Sequence, residues 1–203
     1  VVSIEDTQEL NLKHENWLPS VARAGVGLAG ITGEKHGEVT LFDLLRESLR
    51  QRPDYIIVGE VRGKEAYVLF QGMATGHPSF GTFHAESVET MIQRLVTPPI
   101  NLSPSLVEAL DIACLVVQTK VRGKEVRRLL NVTEVIKIGE GDILSVNVPF
   151  VRDAATDKFL FKTDSKVFQK IVERVGIPAS ELLLEFQRRT LLLMELYRRK
   201  IFG

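Results

Sequence analysis

The chain has 203 residues, 44% of them hydrophobic, enough for one large domain or two small ones around a real core. Lys plus Arg equals Asp plus Glu at 26 each, so the formal net charge is zero and there is no general pull toward nucleic acid or anionic lipid. The single cysteine excludes an internal disulfide, no apolar run approaches the ~18 residues of a membrane span, and no signal-peptide pattern is present, so a soluble intracellular protein is expected.

The first residues read as a strand already under way, Val1, Val2 and Ile4, with Glu5 and Asp6 at its end. A domain rarely opens on a buried strand, so the chain is expected to be a fragment whose N-terminal part lies elsewhere. Glu5 by itself reads as a solvated acid at a strand end. Lys13 to Arg23 is a polar connector. Gly25, Gly27 and Gly30 spell G-x-G-x-x-G, but the dinucleotide fingerprint needs a strand before it and a helix opening at the third glycine. Here the glycines run on through a longer loop, which is the preferred reading. Thr40 to Gln51 is a predicted helix with Leu41, Leu44, Leu45 and Leu49 as its apolar stripe and Thr40 and Asp43 as a capping pair. Pro53 ends it. Arg46, Arg50 and Arg52 crowd its C-terminal end, without obvious acid partners.

The stretch from Arg50 to Glu86 is the most informative. Tyr55 to Val58 is a short apolar run between Pro53 and Gly59, as expected of a strand buried on both faces, with Glu60 just beyond it. Ala66, Leu69, Phe70 and Met73 give a helical stripe that Gly76 stops. Phe80 to Phe83 reads as a second strand, followed by His84. This is a βαβ unit, and ligands of open parallel sheets bind beyond the carboxyl ends of the strands. Glu60 and His84 would both reach that crevice.

Val88, Met91, Ile92 and Leu95 mark another amphipathic helix ended by Pro98 and Pro99, and Ser103-Pro104 starts a further one to about Leu110. Residues 112–120, 125–138 and 143–150 are β-rich, with turns at Arg122-Gly123-Lys124 and Glu140-Gly141-Asp142, and Phe159 to Lys162 continues the meander. Cys114, inside the apolar run Ile112 to Val117, reads as a buried, inert thiol. The tail is helical to Val175, breaks at Gly176 and Pro178, and resumes from Ser180 with a broad apolar face.

RQRPDYIIVGEVRG, then ATGH, then GTFHAES, at this spacing, resemble the atypical Walker B motif and His box of the type II/IV secretion and pilus-assembly ATPases. The opening VVSIEDTQEL resembles the same family's Asp box, and HENW followed by Pro and Arg resembles its archaeal branch. The resemblance implies an α/β fold: a RecA-like P-loop NTPase core lacking its P-loop strand and helix, with a β-rich extension and C-terminal helices. The expected division is 1–120 for the partial core and 121–203 for the meander and helical subdomain. It implies ATP and Mg²⁺ as cofactors. Glu5 would orient or deprotonate the attacking water, Glu60 would hold Mg²⁺ directly or through water, and His84 would contact the γ-phosphate or report its loss. Arg62 matches an arginine typical of the family, His77 is a second candidate for nucleotide contact, and Arg23 is a candidate arginine finger. The implied whole is a cytoplasmic homo-hexamer, peripheral at the cytoplasmic membrane, that meets a membrane platform protein and powers secretion or filament assembly.

Rival readings remain at several positions. His77 and His84 could form a metal site with Glu60 or Glu86, although no H-E-x-x-H occurs. His77 could instead hydrogen-bond its own turn. Within these 203 residues there is no G-x-x-x-x-G-K-S/T: Gly63-Lys64 and Gly123-Lys124 are each followed by Glu. Two functions therefore stand: the C-terminal portion of an ATPase, which by itself hydrolyses nothing, or a non-catalytic homologue that binds protein partners.

Overall fold

In the computed structural model, which describes residues 1–28, 35–121, 123–138, 144–162 and 164–201, the short apolar runs become the inner strands of a parallel sheet. β1 (Val2–Glu5) is buried throughout, and β3 (Ile56–Val58) is nearly so. They lie side by side in a four-stranded sheet of order β2-β1-β3-β4, with β2 (Leu18–Val21) and β4 (Ser79–Gly81) at the edges. Every pairing is parallel: Ile4 sits opposite both Ser20 and Val58, and Val58 opposite Gly81. The outer strands are more exposed, as expected at a sheet edge. Trp17 donates its indole N–H to the buried Ser3 hydroxyl at 2.9 Å, which satisfies the one polar side chain in the middle of β1.

Helices complete this unit. α1 (Leu41–Arg50) opens on a capping box: the Thr40 hydroxyl accepts from the Asp43 N–H and the Asp43 carboxylate accepts from the Thr40 N–H. It buries Leu41, Leu45 and Ser48. Arg46 and Arg50 both pair with Glu47, so two of the three arginines expected to lack acid partners have one within the helix. α2 (Glu65–Ala74) buries Ala66, Val68, Leu69 and Phe70 and ends at Gly76, whose φ of 92° only glycine adopts at no cost. α3 (Val88–Val96) is capped by the Ser87 hydroxyl and buries Val88, Ile92 and Leu95. α4 is a single turn, Pro104–Val107, shorter than its sequence suggested. Between β2 and α1, Arg23 bridges Val39 and Val26 bridges His36 in antiparallel fashion, so the described part of the glycine-rich segment is a hairpin. Gly30 and the rest of 29–34 lie outside the described residues. Among the described residues the next helix opens at Leu41, and no strand leads directly into Gly25.

The compact units divide at Leu110/Asp111, where the sequence reading put the boundary at 120/121. One comprises Val1–Leu110 and Ile138–Ile143, the other Asp111–Lys137 and Leu144–Gly203. β5 (Ile112–Val121) pairs along its whole length with β6 (Lys124–Ile138), so that strand goes with the second unit. β7 (Leu144–Asp153) and β8 (Lys158–Phe161) complete an antiparallel meander in the order β5-β6-β7-β8. Gly123, φ 78°, lies in the first turn; Arg122 and the expected turn at 140–142 are outside the described residues. Alternation along β5 exposes Ile112, Cys114 and Val116 together, so Cys114 is exposed, not buried. A one-sided strand looks like a continuous apolar run when its polar face is short of polar residues. α5 (Lys166–Val175) ends at Gly176, φ 73°, and α6 (Ala179–Arg198) follows. Phe186 of α6 meets Phe168 of α5 and Phe150 of β7, at ring separations of 5.1 and 6.3 Å. No residue of α6 is buried, and Leu191 to Met194 stand exposed. No helix among the described residues is long and apolar enough to cross a membrane.

Candidate functional site

The carboxyl edge of the parallel sheet collects the chemistry because a charged or titratable residue stands at or shortly past the end of each strand. Glu5 closes β1, and Glu60 follows the last residue of β3 after Gly59. His84 follows β4, and Arg23 lies just beyond β2. Taken in sheet order, Arg23, Glu5, Glu60 and His84 leave four adjacent strands, spanning roughly 14 Å of edge at ~4.8 Å per strand.

Glu60, Arg62 and His84 are in direct contact. Arg62 Nη2 donates to Glu60 Oε2, and His84 Nε2 lies 3.2 Å from Glu60 Oε1. Glu60 keeps only 19% of its side-chain surface, whereas Arg62 and His84 are 67% and 85% exposed. The hydrogen bond from Arg62 holds the Glu60 carboxyl below its usual range, against a smaller desolvation effect, and the charges of Arg62 and His84 add to it. The same bond raises Arg62 above its ordinary value. Glu60 is therefore an ionised carboxylate at neutral pH with both oxygens engaged.

Glu5 is held differently. It is 3% exposed, and its Oε1 accepts from the backbone N–H groups of Glu9 and Leu10 at 3.0 and 3.1 Å. Its Oε2 is buried with no hydrogen-bond partner among the described residues. A buried carboxylate oxygen without a donor is costly, and such groups mark places where something else binds.

Several residues that sequence reasoning did not single out build the surroundings. Glu65 Oε1 accepts from the N–H groups of Arg62 and Gly63 at 2.5 and 2.6 Å, which pins the turn that carries Arg62 to the start of α2. Glu65 is the first residue of α2, where an acid suits the helix N-terminus. Thr82 Oγ1 donates to the Gly59 carbonyl, and Val61 N–H donates to the Thr82 carbonyl at 2.9 Å, stitching the ends of β3 and β4 together. Arg94 of α3 donates to the His84 carbonyl and lies 4.8 Å from the Phe83 ring centroid. Since Ile92 and Leu95 anchor α3 in the core, Arg94 is a fixed post for an otherwise exposed loop. Nothing local in the sequence links Arg94 to His84.

Two expected site residues lie apart from this cluster. His77 precedes β4, at the amino edge of the sheet, opposite His84. Its Nδ1 lies 3.3 Å from Thr75 Oγ1 and its N–H donates to Gly72 at 2.9 Å, so it belongs to the turn that ends α2. Arg23 is on the carboxyl edge, but its Nε donates to the Gly37 carbonyl at 2.8 Å within the hairpin. Among the described residues no group of three His, Cys, Asp or Glu side chains is gathered to hold a metal ion by itself. One or two carboxylates suit Mg²⁺ bound largely through water and substrate phosphates.

The family described as Type II/IV secretion system protein matches residues 1–132. The uncharacterized protein MJ1287 of Methanocaldococcus jannaschii is 41% identical over 202 residues, covering 98% of this chain and 72% of that protein. The uncharacterized protein MJ0900 of the same organism is 37% identical over 207 residues, and there the chain spans only 36% of the relative's length. Among solved structures, the VirB11 ATPase from the Brucella suis type IV secretion system, in complex with sulphate, is 28% identical with a TM-score of 0.49, over 64% of this chain and 38% of that one.

Proposed function

Since the chain belongs to the type II/IV secretion system protein family, we propose that it is the C-terminal portion of an ATPase that hydrolyses ATP to power secretion or the assembly of a pilus- or archaellum-like filament. The observation that carries this reading is the meeting of Glu60, Arg62 and His84 at the carboxyl edge, with Glu5 on the adjacent strand. On this reading the whole protein is a cytoplasmic hexamer at the membrane, working against a membrane platform protein.

Bound Mg²⁺ would offset phosphate charge and orient the terminal phosphoryl group. Glu60 is the residue to hold it, through water or directly, because it is ionised and has a second partner to spare: either Arg62 or His84 can leave for a phosphate oxygen while the other stays. Glu5 aims a water molecule with the oxygen that has no partner. Its other oxygen is fixed by two backbone N–H groups, so the carboxylate cannot turn away. Arg94 holds the His84 backbone in reach of Glu60. Arg23 would serve a phosphate only after leaving the Gly37 carbonyl.

No phosphate-binding loop occurs within these 203 residues, so positioning of the triphosphate must come from outside them. The 203-residue chain therefore releases no phosphate from ATP above background. The product of the whole open reading frame turns ATP over, and Glu60→Gln in it abolishes turnover, because the amide keeps the shape and removes the charge. Mg²⁺-dependent phosphate release by the 203-residue chain, eliminated by Glu60→Gln, would overturn the account.

The second reading is a protein-binding module without catalysis. It is favoured by α6, whose Leu191, Leu192, Leu193 and Met194 are each more than half exposed. A whole-length protein that binds ATP but never hydrolyses it would select this reading.

A further inference from the structure

Gly59 stands where a conventional Walker B strand carries an aspartate before its glutamate. Its backbone does not call for glycine, since Gly59 is not among the residues with positive φ. The requirement is one of contact. A Cβ on Gly59 would stand 2.9 Å from Cγ of Glu5, 3.4 Å from its Cβ and 3.5 Å from its Cα. These atoms are the root of the Glu5 side chain, not a tip that can swing aside. The carboxylate beyond them is pinned by Glu9 and Leu10. Gly59 is just as fixed, because its N–H donates to the Ile4 carbonyl at 2.8 Å and its carbonyl accepts from Thr82.

We propose that Gly59 is a positioning residue: the side chain missing just past β3 is the seat of Glu5, so the crevice takes its second carboxylate from β1 instead of from the position after β3. The proposal deepens the ATPase reading and rests on it for its chemistry. It has a counter-intuitive consequence. Gly59→Asp, which restores the conventional order of motif residues, damages the site, because two acids are then forced into one place.

The test has a structural arm and a kinetic arm. In the 203-residue chain, amide exchange at Glu9 and Leu10 is compared for wild type, Gly59→Ala, Glu5→Ala and the double variant. Loss of one hydrogen bond to the Glu5 carboxylate corresponds to exchange faster by about tenfold or more. Gly59→Ala should release both amides as Glu5→Ala does, and the double variant should release them no further. Unchanged protection in Gly59→Ala overturns the proposal. If Gly59→Ala alone does not fold, recovery of a folded chain on adding Glu5→Ala supports the seat, and failure to recover overturns it. In the product of the whole open reading frame, Gly59→Ala and Gly59→Asp should each lower kcat by about a hundredfold, the usual effect of an ångström-scale misplacement, with KM for ATP little changed. Adding Glu5→Ala to Gly59→Ala should cost nothing more. Wild-type turnover in Gly59→Asp overturns the proposal. A wild-type protein that hydrolyses no ATP refutes the ATPase reading instead, and the amide pattern still decides the seat.

Discussion

Glu134 offers the sharpest stability prediction. It lies on β6, 2% exposed, and its carboxylate collects four donors: Ser165 Oγ, Asn147 Nδ2 at 2.7 Å, and the N–H groups of Lys166 and Val167 at 2.7 and 3.3 Å. It thus closes the first turn of α5 from outside the helix, beside the Ser165 cap, whose hydroxyl accepts from the Phe168 N–H at 3.0 Å. Burial pushes the Glu134 carboxyl up, but the bonds from Ser165, Asn147, Lys166 and Val167 together outweigh it and leave it below its ordinary value. Glu134→Ala strands two helix-end amides and leaves the Asn147 amide with only its bond to the Asp164 carbonyl. Hydrogen bonds to a charged acceptor are worth about 1.5–3 kcal/mol each, and water can reach part of the vacated site, so a net loss of about 3–5 kcal/mol is expected. Glu134→Gln keeps one acceptor oxygen and turns an amide donor toward the others, for about 1–2 kcal/mol. The first figure is a large share of a stability of ~5–15 kcal/mol.

The pH dependence has a definite sign. A carboxyl depressed in the folded state contributes stability above its unfolded value of about 4.3, and that contribution fades as pH falls through the folded value. The gap between wild type and Glu134→Gln should therefore be full at pH 7 and narrow below about pH 4.3. Urea titration followed by far-UV circular dichroism gives the free energies. Exchange at the Lys166 and Val167 amides localises the effect, while Trp17 fluorescence reports on the other unit. A loss under about 1 kcal/mol for Glu134→Ala at pH 7, or a gap that widens on acidification, would refute the reasoning.

Three further outcomes are expected. Arg94→Met frees the His84 carbonyl and the Phe83 ring, so backbone order at 83–85, read by ¹⁵N relaxation, should fall while the α3 core stays ordered; unchanged relaxation would mean that Arg94 holds nothing. Asp157 joins Arg128 at 3.1 Å and the buried Arg152 at 2.7 Å, and the bonds from Arg128 and then Arg152 hold its carboxyl below the usual range. Asp157→Asn should melt lower than wild type at pH 7, with the difference shrinking as pH falls below about 4; equal melting temperatures at neutral pH would count against the pair. Cys114 is exposed, and burial by its neighbours raises its thiol above the ordinary value. A maleimide should therefore modify the folded chain completely but more slowly than a free thiol at the same pH, and protection until unfolding would refute the exposure.

The βαβ stretch was legible because its signals are local. Pro53 and Gly59 bracket a run of apolar residues too short for a helix, Gly76 stops α2, and Glu60 and His84 stand immediately past their strands. Their placement at one edge follows from parallel pairing. What the sequence hid depends on distance along the chain. Arg94 reaches back to His84 across a loop and a helix turn, and Thr82 reaches Gly59 across a whole helix. Cys114 was misjudged because β5 carries apolar residues on both faces, and only pairing with β6 decides which face is open. His77 stays open in the sequence between a nucleotide contact and a turn hydrogen bond, because proximity to Gly76 and Pro78 says nothing about the end of the sheet it occupies. The strand that follows puts it at the amino edge.

On the ATPase reading, the two acids must sit close enough to share one ion and one water without repelling each other apart. The chain solves this by giving them unlike neutralising partners. Glu60 is balanced by side chains, Arg62 and His84, that are exposed and can move. Glu5 is held by backbone N–H groups that cannot swing away, in a place shielded from solvent. When a phosphate arrives, Arg62 or His84 can turn to it, which leaves Glu60 more negative just as a cation needs it. On that reading Glu5 would be unaffected by the exchange, and the direction in which it would hold a water would stay fixed. The division predicts unequal sensitivity to salt. Screening weakens the exposed ion pairs of Glu60 but not the buried hydrogen bonds of Glu5. Raising ionic strength should therefore loosen the 60–62–84 cluster while leaving the Glu9 and Leu10 amides protected, and equal loosening of both would mean that the two carboxylates are held by the same kind of force.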